Sequence, residues 1–328
     1  MRCSAIRFAD EGEHSENIDV SIVVVTWNSG RFVHECLASL EAAEGTFVSE
    51  IIVVDNGSSD GTPEIIAHDF PNVELLRAGE NLGFARGSNL GIAHCRGKYI
   101  CLVNVDVNVP PPCISTLWSY MESHCDVGMA GPQLVNWSGI PGRSSMKFWT
   151  LWRVFCRAIA LDRVPGTPRW CRSYLSTSNR DTTPQDVDIL NGWFWMVRRQ
   201  AVTEVGVLDP RFFMYAEDLD WCHRFHQAGW RVVLHSDAAA IHYGGGSSAR
   251  DPLRFLIERE RANLQYWRKF HGRLSTLVFR FLCGLNLTVR FVGYAAVSCM
   301  PCRDHAAARL KRRYSLRCLL RTLAPGSQ

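Results

Sequence analysis

Short β-branched runs alternate with amphipathic segments through the first third of the chain. A continuous apolar run is typical of a strand buried on both faces of a parallel sheet, whereas apolar residues at every third or fourth position predict a helix. The pattern predicts strands at residues 20–26, 51–54, 73–77 and 99–103, helices at 31–42 and 63–68, and a helix that opens within 81–89 and ends near Cys95. Because strands and helices alternate about every 25 residues, we expect an α/β fold with a mostly parallel sheet flanked by helices.

The pattern weakens between residues 137 and 186, where Gly, Pro, Ser and Arg dominate. We interpret one aromatic and basic patch in this stretch as a short amphipathic helix: Phe148, Trp149, Trp152, Arg153, Phe155 and Arg157. Further along, apolar runs predict strands at residues 188–197 and 231–234, with a helix at 199–205 between them. Residues 1–19 are polar and acidic and are interpreted as a disordered tail.

The C-terminal region has its own pattern. Residues 277–297 are strongly apolar and about as long as a membrane span, but they contain Arg280 and Arg290, which disfavour a simple span. A basic segment follows: Arg309, Lys311, Arg312, Arg313, Arg317 and Arg321. We expect a helical tail, residues 273–328, that lies on an anionic membrane surface. The alternative is a packing helix that covers the α/β domain, residues 20–272, or forms a homodimer interface.

Composition limits the partners and the compartment. The chain has 328 residues, of which 47% are hydrophobic and 21% charged, and its net charge of +4 is too small to indicate a nucleic-acid partner. The 13 cysteines lie mostly in apolar runs and are interpreted as reduced core residues of a cytoplasmic protein. The single CxxC, Cys299 to Cys302, has no second Cys pair, so a zinc site is disfavoured.

Polar clusters follow four successive predicted strands: Trp27-Asn28, Asp55-Asn56, residues 81–89 and residues 104–106. In parallel sheets, ligands bind beyond the carboxyl ends of the strands, so these clusters predict a binding site at one edge of the sheet. The sequence contains neither GxGxxG nor GxxxxGK[ST], which disfavours a Rossmann dinucleotide site and a P-loop.

Three acids, Glu217, Asp218 and Asp220, stand directly behind the aromatic run 212–215. A carboxylate beside aromatic rings is partly shielded from water, which raises its pKa and suits it to act as a base near neutral pH. The acids also fit the first turn of a helix, where they favour the helix dipole. The two interpretations are compatible, because a helix start is a good platform for an acid that faces a cleft.

Taken together, six segments resemble glycosyltransferase family 2, over about residues 20–270. In the family order they are VSIVVVTWNSG, IIVVDNGSSDGT, NLGFARGSNLGI, LVNVDVNV, ILNGWFWMVRR and LDPRFFMYAEDLDWCHRFHQAGWRV. The resemblance implies a GT-A (Rossmann-like) fold, with a nucleotide-sugar half at residues 20–135 and an acceptor half at 136–272. It is nearest to the bacterial rhamnosyltransferase-like branch, which extends lipid-linked cell-surface glycans.

The resemblance also assigns roles to residues. It implies that Asp106 binds a divalent cation, Mg²⁺ or Mn²⁺, with Asn104 in place of the usual first acid and His242 as a further metal or diphosphate ligand. Asp218 matches the catalytic base of an inverting displacement, and Glu217 is expected to orient the acceptor. The donor-binding residues that it implies are Thr26, Asn28, Asp55, Asn81, Gly83 and Arg86. For His242 a satisfied structural histidine, and for Arg86 a solvated helix residue, are the alternatives.

The implied reaction moves a sugar from a nucleoside-diphosphate donor, dTDP- or UDP-linked, to a hydroxyl of a glycan or polyprenyl-linked acceptor at the inner face of the plasma membrane. Two other functions stay open at this point. A sugar nucleotidyltransferase is disfavoured because Trp27-Asn28-Ser29-Gly30 stands where those enzymes carry a Gly-rich basic loop. A non-catalytic glycan-binding protein is disfavoured because both Asp106 and Asp218 are present.

Overall fold

A computed structural model of the chain describes residues 18–43, 45–136, 138–161, 164, 166–171, 184–244, 252–298 and 305–323. Its strands are β1 (Val20–Thr26), β2 (Ser49–Asp55), β3 (Glu74–Arg77), β4 (Tyr99–Asn104), β5 (Val107–Asn108), β6 (Val127–Val135), β7 (Ser145–Met146), β8 (Gln185–Asp186), β9 (Ile189–Leu190), β10 (Phe194–Arg198) and β11 (Arg231–His242). Its α-helices are α1 (Gly30–Glu41), α2 (Thr62–Asp69), α3 (Phe84–His94), α4 (Pro112–Ser123), α5 (Leu151–Ala158), α6 (Arg199–Val205), α7 (Glu217–Gln227), α8 (Pro252–Phe270), α9 (Arg273–Ser298) and α10 (His305–Leu323).

The main sheet runs in the order β3-β2-β1-β4-β10-β6-β11-β5, with β8 beside β11. Its first four strands are parallel, as the alternation of strands and helices predicts. β10 then enters antiparallel to both β4 and β6, and β6 is parallel to β11. The predicted α/β architecture is therefore confirmed, and the sheet is mixed.

The core of the sheet is apolar on both faces. β1 is buried along nearly its whole length, because helices cover the sheet and leave no face for polar side chains. Gly91 of α3 lets this helix lie directly on β1, since a Cβ at Gly91 would stand 2.4 Å from Cγ1 of Val23. The parallel strands are thereby held with their carboxyl ends at one edge.

Two strands differ from the sequence-based prediction. The single strand expected at residues 188–197 is two strands, because Asn191-Gly192 makes a turn between β9, which pairs with β7, and β10 in the main sheet. The strand expected at 231–234 continues to His242, with a register shift between His235 and Ala239. Helix α4 and strand β6 fill a stretch for which the pattern predicted no element.

The chain divides into two compact units, Met1–Met146 with Ser176–Arg250, and Lys147–Leu175 with Asp251–Gln328. The first contains the sheet. The second contains α5, α8, α9 and α10, and its core includes the Trp267 ring stacked on Phe279 at 4.4 Å. The domain boundaries proposed from sequence, 1–19, 20–272 and 273–328, stay a prediction, and most of the first tail and the Cys299 to Cys302 pair lie outside the described residues. The cysteines within them are free thiols, and most are buried, as expected for core residues.

Candidate active site

The ends of β1 and β2 bring Thr26 and Asp55 together. The parallel register sets the two residues opposite each other, and the Thr26 hydroxyl donates to Asp55 Oδ1 at 3.0 Å. Both residues are buried, and the backbone N–H of Ser58 donates to Asp55 Oδ2 at 3.0 Å. A carboxylate oxygen has two acceptor positions, so these contacts orient Asp55 and leave it able to accept a further hydrogen bond.

Asn28 joins the turns that follow these two strands. Its φ of 51° lies in the left-handed region, which Asn tolerates better than most residues. Its backbone N–H donates to the Ser58 hydroxyl at 2.8 Å, and its Oδ1 accepts from the Ser59 N–H at 2.8 Å. Asn28 therefore shapes the edge of the pocket around Asp55.

The loop before α3 contacts the aromatic run of the acidic stretch. Gly83 has φ +81°, and a Cβ there would stand 2.3 Å from the carbonyl oxygen of Phe213. The next N–H, of Phe84, donates to that same carbonyl at 2.7 Å, and Asn81 Oδ1 accepts from Gly83 N at 3.0 Å. Asn81 and Gly83 thus form the loop, while Arg86 stands exposed in the first turn of α3.

Asp106 and His242 form a pair beyond β4. His242 ends β11, whose antiparallel pairing with β5 aligns it with Val107, next to Asp106. The His242 Nε2 lies 3.1 Å from Asp106 Oδ1, and the Tyr243 N–H donates to the Asp106 carbonyl at 2.9 Å. Asp106 is buried in the turn after β4, and the half-buried Asn104 is the last residue of that strand.

The pair fits two neighbouring ligands of a divalent cation. Adjacent ligands at about 2.1 Å from an octahedral ion are about 3 Å apart, which matches the separation of the two atoms. Among the described residues, no group of three His, Cys, Asp or Glu side chains is arranged to hold a metal ion.

The three acids of the 217–220 stretch differ in their surroundings. Tyr215 and Ala216 both have positive φ, 70° and 62°, so a strained turn leads into α7. Asp220 is fully buried and paired with Arg224 at 2.8 Å, which gives it a structural role.

Asp218 and Glu217 both have raised pKa values, because burial disfavours the charged form. Burial raises the pKa of Asp218 to about 6, although the N–H of Leu219 and the N–H of Gly192 oppose the shift. Burial and the neighbouring Asp218 raise the pKa of Glu217 well above its usual value, and Glu217 Oε2 has no partner among the described residues. Asp218 is therefore the acid that changes protonation near neutral pH.

The turn at 191–193 joins these groups and was not among the predicted site residues. A Cβ at Gly192 would lie 3.5 Å from the Asp218 Cβ. The ring of Trp193 stacks on His242 at 5.9 Å, and the Trp193 carbonyl accepts from the Asn104 N–H at 3.0 Å. The sequence signal for this turn was the Asn-Gly pair inside an apolar run.

The family model for glycosyl transferase family 2 matches residues 21–206, more than half of the chain. The chain belongs to glycosyl transferase family 2. This family 2 chain is 31% identical over 262 residues to an N-acetylglucosaminyl-diphospho-decaprenol L-rhamnosyltransferase of Mycobacterium tuberculosis, an alignment that covers 76% of the chain and 84% of the relative. It is 24% identical over 241 residues to the rhamnosyltransferase WbbL of Escherichia coli, covering 68% and 83%.

Among solved structures, the family 2 chain is similar to the mannosyltransferase PcManGT from Pyrobaculum calidifontis in complex with GDP-Man and Mn²⁺. The TM-score is 0.56 at 17% identity, over 94% of this chain and 88% of the other. This likeness confirms the GT-A fold. The family match and the curated relatives confirm that the chain is a glycosyltransferase, the first of the three functions weighed from sequence.

Proposed function

We propose that this enzyme transfers rhamnose, with inversion, from a nucleoside-diphosphate donor to a hydroxyl of a polyprenyl-diphosphate-linked glycan in cell-surface polysaccharide synthesis. The observation that carries the proposal is the 31% identity across 84% of a relative whose name specifies L-rhamnose transfer to N-acetylglucosaminyl-diphospho-decaprenol. The nucleotide is thymidine or uridine diphosphate.

Asp218 is the general base. With its pKa at about 6, the carboxylate is ionised at neutral pH and still basic enough to take a proton from a hydroxyl that is attacking. The acceptor oxygen forms a bond to the anomeric carbon on the face opposite the leaving diphosphate, and its proton moves to Asp218. One displacement inverts the anomeric configuration. Glu217, buried beside Asp218 and with its pKa raised, supports the base and helps to orient the acceptor.

The donor lies along the ends of the parallel strands. Asp55, oriented by Thr26 and Ser58, accepts a hydrogen bond from the base of the nucleotide, and Asn28 closes the edge of that pocket. Asn81 and Gly83 form the loop beside the ribose and diphosphate, and Arg86 supplies a cation suited to phosphate oxygens.

Asp106 and His242 would hold a Mg²⁺ or Mn²⁺ ion, with the half-buried Asn104 beside them. When bound there, the ion would supply positive charge for the leaving diphosphate. His242 is further fixed by its stacking on Trp193.

The C-terminal helices hold the enzyme at the inner leaflet. Helix α9 is long and apolar enough, over residues 273–297, to cross a membrane by length and composition. Arg280 and Arg290 make crossing costly, and the exposed side chains of α9 include Leu274, Leu277 and Phe281. Exposed cations on α10, Arg309, Lys311, Arg313 and Arg317, attract anionic headgroups. The alternative occupant of this surface is a second copy of the chain.

The test incubates purified enzyme, Mg²⁺ and a short-chain polyprenyl-diphosphate N-acetylglucosamine with dTDP-rhamnose or with UDP-sugars. Mass spectrometry identifies the product and NMR its anomeric configuration. We expect one added deoxyhexose with inverted configuration, and a yield from the Asp218→Asn variant that is lower by roughly 10²-fold or more. Transfer of another sugar would overturn the rhamnose assignment, and a retained configuration would overturn the mechanism.

A further inference from the structure

A cluster of side chains beside the pair of Asp106 and His242 is centred on Tyr243, the residue that follows His242. The Tyr243 backbone N–H donates to the Asp106 carbonyl at 2.9 Å. Its side chain extends to α1, where the ring stacks on Phe32 with 6.1 Å between the ring centres, and the hydroxyl donates to Glu35. Tyr243 therefore contacts the pair through its backbone and α1 through its side chain.

Glu35 connects both of the strands that meet beside the pair. Its Oε1 accepts from the Tyr243 hydroxyl and also from the Asn108 side-chain amide, the latter at 3.1 Å. Asn108 lies on β5, opposite Ile241 of β11 in the antiparallel register. A carboxylate oxygen has two acceptor positions, so one atom of Glu35 can serve both donors. Glu35 thereby ties the ends of β5 and β11 to the same helix.

Helix α1 supports this cluster with one of its faces. Phe32, Glu35 and Cys36 are spaced so that their side chains lie on the same side of the helix. Cys36 is buried, and its thiol donates to the Asn104 carbonyl at 3.7 Å. The helix that begins just after the turn of Asn28 thus contacts the ends of β4, β5 and β11, on which both members of the pair depend.

Glu35 has two means of action on a cation at the pair, its negative charge and its hydrogen bonds. Glu35 is exposed, so water and salt screen its charge. Its hydrogen bonds are directional, and they hold the residue after His242 and a residue of the strand that pairs with β11. The contacts therefore favour an action through position.

The position of His242 depends on contacts made at the end of a strand. His242 is the last residue of β11, and strand ends open more readily than strand centres. The ring stack and hydrogen bond of Tyr243 oppose this opening. We propose that Tyr243 and Glu35 are positioning residues that hold His242 against Asp106, in the arrangement in which both can bind one cation. The inference rests on the proposed function, which assigns a divalent cation to this pair.

Hydrogen exchange at the Tyr243 amide tests the position without any metal, on the full chain and by NMR. Tyr243→Phe keeps the ring but loses the hydroxyl, and Glu35→Ala loses the acceptor. Each should speed exchange of this amide by about threefold to tenfold, the effect of one lost hydrogen bond. Glu41→Ala, at an exposed acid of the same helix, is the matched control and should exchange like the parent. Exchange in both variants at the parental rate would overturn the proposal.

Binding of Mn²⁺ in the presence of dTDP or UDP tests the consequence, with the free ion followed by electron paramagnetic resonance. Glu35→Ala and Tyr243→Phe should weaken Mn²⁺ binding by about threefold to tenfold. Glu35→Gln keeps an oxygen that accepts both hydrogen bonds, so its Mn²⁺ affinity should stay within about twofold of the parent's. A Gln variant as weak as the Ala variant would assign the effect to charge and overturn the positioning role.

The two measurements separate this proposal from the function on which it rests. If the variants speed amide exchange but the parent binds no Mn²⁺, the positioning role stands and the cation is removed from the proposed function. If the parent binds Mn²⁺ and both variants bind it equally well, the positioning role is wrong and the proposed function stands.

Discussion

The Nε2 of His242 lies 3.1 Å from Oδ1 of Asp106, although the two residues are 136 positions apart in the chain. The contact depends on β11, which continues past its register shift and pairs its last residue beside Val107. The sheet thus brings a histidine nitrogen and a carboxylate oxygen from distant segments side by side. Both atoms can bind the same cation.

Removal of Asp106 or His242 should make the affinity for the sugar nucleotide independent of Mg²⁺ or Mn²⁺. In the parent, chelation of Mg²⁺ or Mn²⁺ should weaken dTDP-sugar binding by about tenfold or more, because the diphosphate then loses its neutralising charge. Asp106→Ala and His242→Ala should bind the donor weakly with or without chelator, as measured by titration calorimetry. His235→Ala, a histidine earlier in β11, serves as the control. Binding in the parent that ignores chelator would assign Asp106 another role.

Removal of the Asp218 carboxylate should lower turnover without weakening donor binding. Asp218→Asn keeps the size of the side chain, so we expect turnover to fall by roughly 10²-fold or more while the donor Kd stays within about twofold. The pH profile gives a second readout. The parent's kcat/KM should rise with pH up to about 6 and then level, because the carboxylate must be ionised to act. Residual activity of Asp218→Asn should lack that step, and near-parental turnover would remove Asp218 from the mechanism.

Glu217 should make the parent less stable as pH rises. Its folded-state pKa is raised, so from the unfolded pKa near 4.5 upward the unfolded chain releases a proton that the folded chain keeps. Glu217→Gln removes this linkage, and its free energy of unfolding relative to the parent should increase by up to about 1.4 kcal/mol per pH unit as the pH rises from about 4.5 towards the raised pKa of the folded protein. Glu80→Gln, at an exposed acid, should show no such slope in urea unfolding. A flat difference for Glu217→Gln would mean that the carboxyl ionises in the folded protein.

Gly83→Ala should destabilise the protein more than a substitution at a glycine that only has a positive φ, because Gly83 also lies close to Phe213. Gly79 has φ +76° with open space around its Cβ position, so Gly79→Ala should destabilise by about 1–2 kcal/mol through backbone strain. Gly83 has φ 81° and ψ 178°, a backbone region open essentially to Gly alone, and a Cβ there would also collide with the Phe213 carbonyl. Gly83→Ala should therefore lose at least about 1 kcal/mol more. Its kcat/KM should fall as well, since the same contact locates the loop before Asp218. Equal destabilisation by the two substitutions would contradict the contact.

The exposed apolar side chains of α9 should bind an anionic membrane surface. Removal of α9 and α10 would take Phe279 from its stack on Trp267, so point variants test this surface without disturbing the packing. Leu277→Glu with Phe281→Glu, both at exposed positions of α9, should lower co-sedimentation with anionic vesicles by about fivefold or more. Ile140→Glu, an equally exposed apolar site of the first unit, should have no effect. High salt should weaken binding of the parent, because it screens the α10 cations. If the parent does not co-sediment with anionic vesicles at low salt, the tail packs against the rest of the chain or forms a dimer interface.

The parallel half of the sheet was predictable because each strand is local. The apolar run 20–26 predicts a buried strand. The polar residues that follow β1, β2 and β4 predict the edge of the sheet at which the site lies. The antiparallel entry of β10 was not predictable in this way, because its partners, β4 and β6, lie far away in sequence. The same limit hid the role of Trp193, whose contacts with His242 and Asn104 exist only after β10 is in the sheet. Six motifs in order were enough to identify the family. The positions of single side chains depend on strand pairing between distant segments, which the sequence does not reveal.

The contact between Gly83 and Phe213 has a consequence for redesign of donor preference. Its hydrogen bond joins two backbone groups, the Phe84 N–H and the Phe213 carbonyl, while the Asn81 side chain holds the Gly83 N–H. The register between the donor loop and the turn that leads to the base therefore does not depend on the side chains of Leu82 and Arg86. A library that varies Leu82 and Arg86 while it keeps Asn81 and Gly83 should therefore sample new sugar nucleotides on an intact catalytic frame. The residues that choose the donor are thus separate from the backbone contact that positions the catalytic base. A few substitutions in the loop should therefore change donor preference without moving the base.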